Sequence, residues 1–429
     1  MCYAIPGQLV EKDGMKGVIN YFGERKNVMI ALDSAEVGDY VYAQGGVLIN
    51  KISEDEAREV LHAWKDIFFE LKKTDKKLAE VKTSYAGLPE NILTILEKVN
   101  IGKELSREDL TELLEVQDDK HLKLIYDTAN NTRQKVHGNA CCVHGIIEFS
   151  NICRVDCKYC GIRNSKDMDR YRMSHEEILK AAEYAAKELG FKALVLQSGE
   201  DTWYDDDKLV KIVRDVRKLG VLVFLSIGSR SKETYKKLFE EGARAALLRF
   251  ETSDEDLFRE LRPGTDLEER LELIRYLKYI GYVLATGFIV GLPGADTSRL
   301  VDDILLTKSL GPEMYSFGPF IPAEGTPLEG HGTVTKDHIL KAIAASRFAD
   351  RDSNILVTTA LETLDGKAKR EALAAGANSL MINLTSTGFK KLYSIYDNRE
   401  GVDTDVTDSI KETLSLLHSL GRAPTDLGV

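Results

Sequence analysis

Residues 1–50 alternate short apolar runs with turn signals: GQLVEKDG, KGVINYFG, KNVMIALD, GDYVYAQGG and VLINKIS. Period-two runs broken by Gly and Asp predict a small all-β barrel, OB-like in size. The period then changes. Ser53 with Glu56 three residues on predicts a capping box that opens the helix EDEAREVLHAWKDIFFELKK. Residues 1–75 thus read as one small domain, 76–89 as a linker and 90–144 as a helical lead-in. Beyond it, almost continuous apolar runs begin at Gly145, Ala193, Val221, Ala245, Val283, Met314, Ile355 and Ser379. Such runs suit parallel strands buried on both faces. Between them lie amphipathic segments such as SHEEILKAAEYAAKELG, with Ser174 and Glu177 as a second capping box and Gly190 as a stop. The predicted class is therefore α/β, a (β/α)8 barrel over residues 145–429 behind a small β barrel. In such a barrel the chemistry gathers at the C-terminal ends of the strands.

Charge narrows the functional classes. With 58 basic and 69 acidic side chains the net charge is −11, which weighs against nucleic acid or an anionic membrane as partner. The weakly polar stretch from Tyr282 to Ala295 falls short of the ~20 residues of a membrane span. The N-terminus shows no basic leader followed by an apolar run, so a cytoplasmic protein is expected. Six cysteines are too few for a disulfide scaffold in a chain of this length, and three crowd into eight positions, which points to metal chemistry in a reducing compartment.

Those three follow the first predicted barrel strand as Cys153-Arg-Val-Asp-Cys157-Lys-Tyr-Cys160. Three thiolates on one loop suit three corners of a cubic iron–sulfur cluster, with one iron left open. Structural zinc is the alternative; it asks for four ligands, and no Cys or His lies within the next ten residues. A plain redox pair would leave the third cysteine idle.

The triad, with Tyr159 before its last cysteine, resembles the signature of the radical S-adenosylmethionine (SAM) superfamily. The ordered string IIEFSNICRVDCKYCGIR, RYRMSHEEI, LVLQSGED, LLRFET, ELRPGTDLEERL, GFIVGLPG, GPFIPAEGTPL and VTTA is similar to the HydE family of FeFe-hydrogenase maturases, relatives of biotin synthase. The resemblance covers about residues 86–429. It implies a 4Fe-4S cluster on Cys153, Cys157 and Cys160, and SAM bound at the open iron. Around SAM it implies Tyr159; Ser198, Gly199 and Glu200 after the second strand; Arg249 and Glu251 after the fourth; Arg270; and Gly291, with Gly287 and Gly294, where backbone approaches the adenine. Radical cleavage of SAM would then act on a small iron complex carrying carbon monoxide, cyanide and cysteine. Thr358 and Thr359 after the seventh strand, with Thr385 and Ser386 after the eighth, are the implied substrate contacts. Other hydrogenase maturation proteins are the implied partners.

The chain departs from that family where substrate contacts are expected. Phe250 replaces a His, Ser229-Arg230 replaces an acidic–aromatic pair, and residues 382–389 lack the family's Trp, prolines and Tyr. No Cys follows Cys160, so accessory cluster ligands are absent. A radical mutase or C–C bond-forming enzyme on an amino-acid-like substrate, as among pyrrolysine-pathway relatives, stays open, as does a non-catalytic assembly scaffold.

Met1-Cys2-Tyr-Ala-Ile-Pro6-Gly7, with Gly38-Asp39-Tyr40-Val41, resembles the HypC/HupF family of hydrogenase assembly chaperones. The likeness implies that Cys2 carries an iron–diatomic species, its thiol lying beside the α-amino group. Gln44 stands where that family has a His. Cys141 and Cys142 read as buried spectators on the lead-in, and His62, His175 and His338 as surface or capping residues.

Overall fold

The computed structural model describes residues 3–30 and 34–425. Cys2 lies outside the described residues. The five N-terminal strands form as the alternation predicts: Gly7–Asp13, Lys16–Tyr21, Glu24–Ile30, Tyr40–Gln44 and Val47–Ile52. They close into a barrel in the order first, second, third, fifth, fourth. Leu9, Ile19, Tyr21, Val41 and Leu48 fill it, and the helix Glu54–Leu78 covers it with Trp64, Phe68 and Leu71. The Ser53–Glu56 capping box is formed, as is that of Ser174 and Glu177.

The eight expected barrel strands all form: Ala140–Ser150, Ala193–Ser198, Leu222–Ser226, Ala245–Leu247, Val283–Thr286, Met314–Tyr315, Asn354–Ile355 and Ser379–Asn383. Their neighbours pair in parallel, and a parallel bridge between Leu356 and Ser379 joins the seventh to the eighth. The first strand starts at Ala140, five residues before the apolar run at Gly145, so Cys141 and Cys142 lie within it and are buried. A short strand Ala423–Pro424 pairs there and extends it.

Two apolar runs are split. Beyond Thr286 the fifth run resumes only as Ile289–Val290, paired with Gly318–Pro319. The Gly287 carbonyl accepts both the Phe250 and the Glu251 N–H, and Glu251 adopts φ +71°. A left-handed backbone is strained for a residue with a Cβ, and it turns the end of the fourth strand into the barrel mouth.

Inward side chains including Ile146, Val195, Phe224, Ala245 and Met314 pack the barrel interior, and Val47 of the small domain joins them from below. The Gly45-Gly46 turn thus brings the small barrel against the N-terminal ends of the large one. Asp75 of the small domain's helix takes a two-pronged bond from Arg133, at 2.8 and 2.9 Å, and lies 2.9 Å from Arg422. Tyr3 donates to Asn139 at 3.2 Å, and Gln44 donates to the Thr425 carbonyl. The small domain therefore sits at the base, leaving the strand C-termini open at the other end. Among the described residues no helix is long and apolar enough to cross a membrane.

Candidate active site

Residues 151–166, after the first strand, have no regular secondary structure, and polar side chains hold them in place. Arg170 donates to the carbonyls of Asn151, Ile162, Arg163 and Lys166 at 2.6–2.9 Å. Asp156 accepts from Arg163 and from both the N–H and hydroxyl of Ser165. The Arg163 guanidinium and Ser165 hold its carboxyl well below the usual carboxylate range. Cys153, Cys157 and Cys160, carried on this loop, are free thiols.

The thiols are wired to neighbouring strand ends. Cys153 Sγ accepts the Glu200 N–H at 3.4 Å. Arg262, at the C-cap of the helix Glu255–Leu261, donates to Cys157 Sγ at 3.2 Å and to the Tyr159 hydroxyl at 3.1 Å. Burial pushes the Cys157 thiol up, against the opposing pull of Arg262. Burial also pushes Cys160 up to about 12. A metal ligand must be the thiolate, so loading this loop releases protons. Iron uptake by the apo-protein is therefore expected to tighten as pH rises from 7 to 9, read from the iron–sulfur charge-transfer absorbance at fixed free iron; a flat profile would contradict it.

Glu200 ends the second strand and is buried. Its Oε1 accepts the Ser229 N–H at 3.0 Å and lies 3.4 Å from both Arg262 and Arg270. Arg270 also donates to the Arg249 carbonyl at 2.8 Å and to Ser229 Oγ at 2.7 Å. Arg249 lies 3.4 Å from Glu251, and Arg270 4.0 Å. Ser198 donates to the Gly199 carbonyl. Arg154 comes within 3.1 Å of Glu200 Oε2 but outside hydrogen-bond geometry, so Glu200 Oε2, Glu251 Oε2 and Arg262 Nε are buried without hydrogen-bond partners. Glu200 Oε2 and Glu251 Oε2 keep ion-pair contacts with Arg154 and Arg249, whereas Arg262 Nε has neither; a buried polar atom left unpaired costs about 1–3 kcal/mol, which makes this wall a place for a ligand's polar groups.

Gly199 fixes how closely the second strand approaches the cysteine loop. A Cβ there would run into the Ile152 carbonyl oxygen and lie 2.9 Å from the Cβ of Cys153. Gly199→Ala is expected to push Cys153 aside and cut cluster occupancy several-fold, read as iron and sulfide bound per chain; full occupancy would show that the loop yields.

A cavity of about 300 Å³ at the strand C-termini brings the expected residues together. The three cysteines, Tyr159, Ser198, Gly199, Glu200, Arg249, Glu251 and Arg270 line it, with Thr358 and Thr359. Gly291 does not: a Cβ there would meet the Val334 side chain, so protein fills that space. Thr385 is also removed from the cavity, its hydroxyl accepting the Glu148 N–H at 2.8 Å, and Ser386 is exposed ahead of the helix Thr387–Leu392. Phe250 packs on Phe288 between sheet and helices, so the His-to-Phe departure does not touch the cavity wall. His62 is exposed, His175 pairs with Asp215, and His338 meets Thr335. The wall also contains Arg262, Tyr393, Tyr396 and Arg399, which the strand-end rule had not singled out.

The chain is 40% identical over 335 residues to the FeFe hydrogenase maturase subunit HydE of Thermotoga maritima, covering 77% of this chain and 94% of that protein. It belongs to the radical SAM superfamily. The radical SAM profile matches residues 147–306, that of the HupF/HypC family residues 1–64, and that of the Biotin and Thiamin Synthesis associated domain residues 316–422. This radical SAM enzyme is also 32% identical to 3-methylornithine synthase of Methanosarcina acetivorans over 76% of its own length and 93% of the relative. The crystal structure of methylornithine synthase (PylB) superposes with a TM-score of 0.70 at 28% identity, covering 77% of this chain and 97% of that one. The chain is thus a HydE-like radical SAM enzyme fused to a HypC-type domain, which sets aside the scaffold reading.

The donor set is three free thiols on one loop, with no Cys or His in the ten residues that follow. Three thiolates suit three corners of an iron–sulfur cube, each binding a different iron, whereas structural zinc asks for a fourth ligand.

Proposed function

We propose that this radical SAM enzyme serves hydrogenase metallocofactor assembly, acting on a small iron complex that carries carbon monoxide and cyanide. Cys153, Cys157 and Cys160 would hold a 4Fe-4S cluster, and Glu200, Glu251 and Arg270 the amino and carboxylate groups of SAM. With both bound, the chemistry supplied is one-electron cleavage of the sulfonium carbon–sulfur bond, giving methionine and a 5′-deoxyadenosyl radical. The protein's own part is to orient and to exclude water. Buried Glu200 and Arg270 present preorganised charge at the cavity wall. Ile289, Pro319, Phe320 and Leu356 make other parts of the wall apolar, which protects a radical from solvent. Thr358 and Thr359 are the substrate contacts that this cavity retains.

The observation that carries the reading is the meeting of three free thiols with the Glu200–Arg262–Arg270 cluster in one cavity, in a chain with a HupF/HypC match at its N-terminus. The likeness to HydE supports the iron complex as substrate. Cys2 would receive or present the iron species for a partner maturation protein. The test is 5′-deoxyadenosine formation by anaerobically reconstituted protein with an iron–carbonyl–cyanide complex. Cleavage of SAM without turnover of any such complex would sink the substrate assignment. The similarity to methylornithine synthase favours a second reading, a radical rearrangement of an amino-acid skeleton, which the same assay with L-lysine addresses.

A further inference from the structure

The three cysteines share their cavity with Arg262, a residue 5% exposed. It follows the helix Glu255–Leu261, and the same stretch of backbone is fastened to the cysteine loop, because the Lys158 N–H donates to the Leu261 carbonyl at 2.8 Å. The Arg262 N–H donates to the Phe258 carbonyl at 2.9 Å, and its carbonyl accepts the Thr265 hydroxyl at 2.8 Å. The guanidinium is thus carried on a fixed turn. Its Nη1 donates to Cys157 Sγ at 3.2 Å and to the Tyr159 hydroxyl at 3.1 Å, while Nη2 lies 3.4 Å from Glu200 Oε1.

A guanidinium keeps its charge inside a protein, and a hydrogen bond from a charged donor is about twice as strong as one from a neutral donor. Buried Cys157 therefore meets a full positive charge, whereas the Glu200 N–H that reaches Cys153 at 3.4 Å is uncharged. The neighbouring acids do not cancel that charge. Glu200 is shared with Arg154 and Arg270, and Glu251 with Arg249 and Arg270. Arg399, also on the wall, is clamped by Glu148 through both carboxylate oxygens. Glu200 and Glu251 thus face Arg249, Arg262 and Arg270, which leaves the lining one positive charge in excess. Reduction of a 4Fe-4S cluster adds a negative charge, and its potential responds to nearby charge and to hydrogen bonds on its ligand sulfurs.

We infer that Arg262 raises the reduction potential of the cluster held by this loop, so that the electron for SAM cleavage can come from a weaker external reductant. The inference rests on the cluster reading of the cysteine triad and adds what sets the ease of its reduction. Its test is a potentiometric titration of the anaerobically reconstituted full-length protein without SAM. The electron paramagnetic resonance signal of the reduced cluster gives the midpoint, and iron and sulfide per chain report loading. Arg262→Gln lowers the midpoint by about 60–120 mV, a ten- to hundredfold weaker reduction equilibrium at 59 mV per tenfold. Arg262→Met, equally neutral, carries the same comparison if the Gln variant does not load. Arg262→Lys keeps the charge and loses the fork, so its midpoint falls between those of the wild type and the neutral variants. An unchanged midpoint in a loaded neutral variant overturns the inference, as does a Lys variant displaced as far as the neutral ones. Failure of both neutral variants to hold iron would make Arg262 a structural prop of the loop and overturns it too. A wild-type protein with no reducible cluster overturns the cluster reading and this inference with it.

Discussion

Cys157→Ser is expected to abolish reductive SAM cleavage, lowering 5′-deoxyadenosine by about a thousandfold or more, whereas a change to a residue behind a metal ligand costs about 10–100-fold. Cys157 is the buried member of the triad and the one that Arg262 contacts directly. The loop around it does not depend on the sulfur for its shape: Arg170 binds four of its carbonyls, and Asp156 gathers Arg163 and Ser165. The variant should therefore fold, with a wild-type circular dichroism spectrum, while its iron and sulfide content falls. Substantial SAM cleavage by a well-folded Cys157→Ser protein would show that the cluster sits elsewhere.

The second large effect is on stability, at the other end of the barrel. Asp75→Ala removes the acidic partner that Arg133 and Arg422 share; all three side chains are 2% exposed or less. Breaking a buried pair strands its charge and costs about 3–5 kcal/mol. Here two guanidinium groups are stranded, although Arg133 keeps Asn130 and the Gly138 carbonyl, and Arg422 keeps Asn130 and the Leu373 carbonyl. Urea unfolding of the apo-protein should show a lower midpoint or a separate early transition for the small domain. A loss below about 1 kcal/mol would mean that the two barrels are held mainly by apolar contacts such as that of Val47.

These two predictions draw on information of different kinds. The cysteine triad was readable because metal chemistry constrains residue type and short spacing, and both lie on one stretch of chain. The strand ends Glu200 and Arg249–Glu251 were readable because a buried parallel strand announces itself as an apolar run and its last residues reach the mouth. Arg262 and Arg399 gave no such signal: one caps a short helix and the other lies on an irregular segment. Glu148 was hidden inside an apolar run, and its partner stands 251 positions away. A glycine in a loop signals close approach without saying of what; at Gly291 an added Cβ would meet Val334.

Local pattern along the chain by itself determined the two barrels, their strands and helix caps, and the cluster-type loop, since hydrophobic period, capping and ligand spacing act over a few residues. Only the folded chain decided that the small barrel sits under the large one, that Asp75 meets Arg133 and Arg422, that Arg262 reaches Cys157, and that Glu148 clamps Arg399. Those pairings join residues 58 to 347 positions apart. Their energies come from burial and charge compensation, which exist only once the intervening elements have packed.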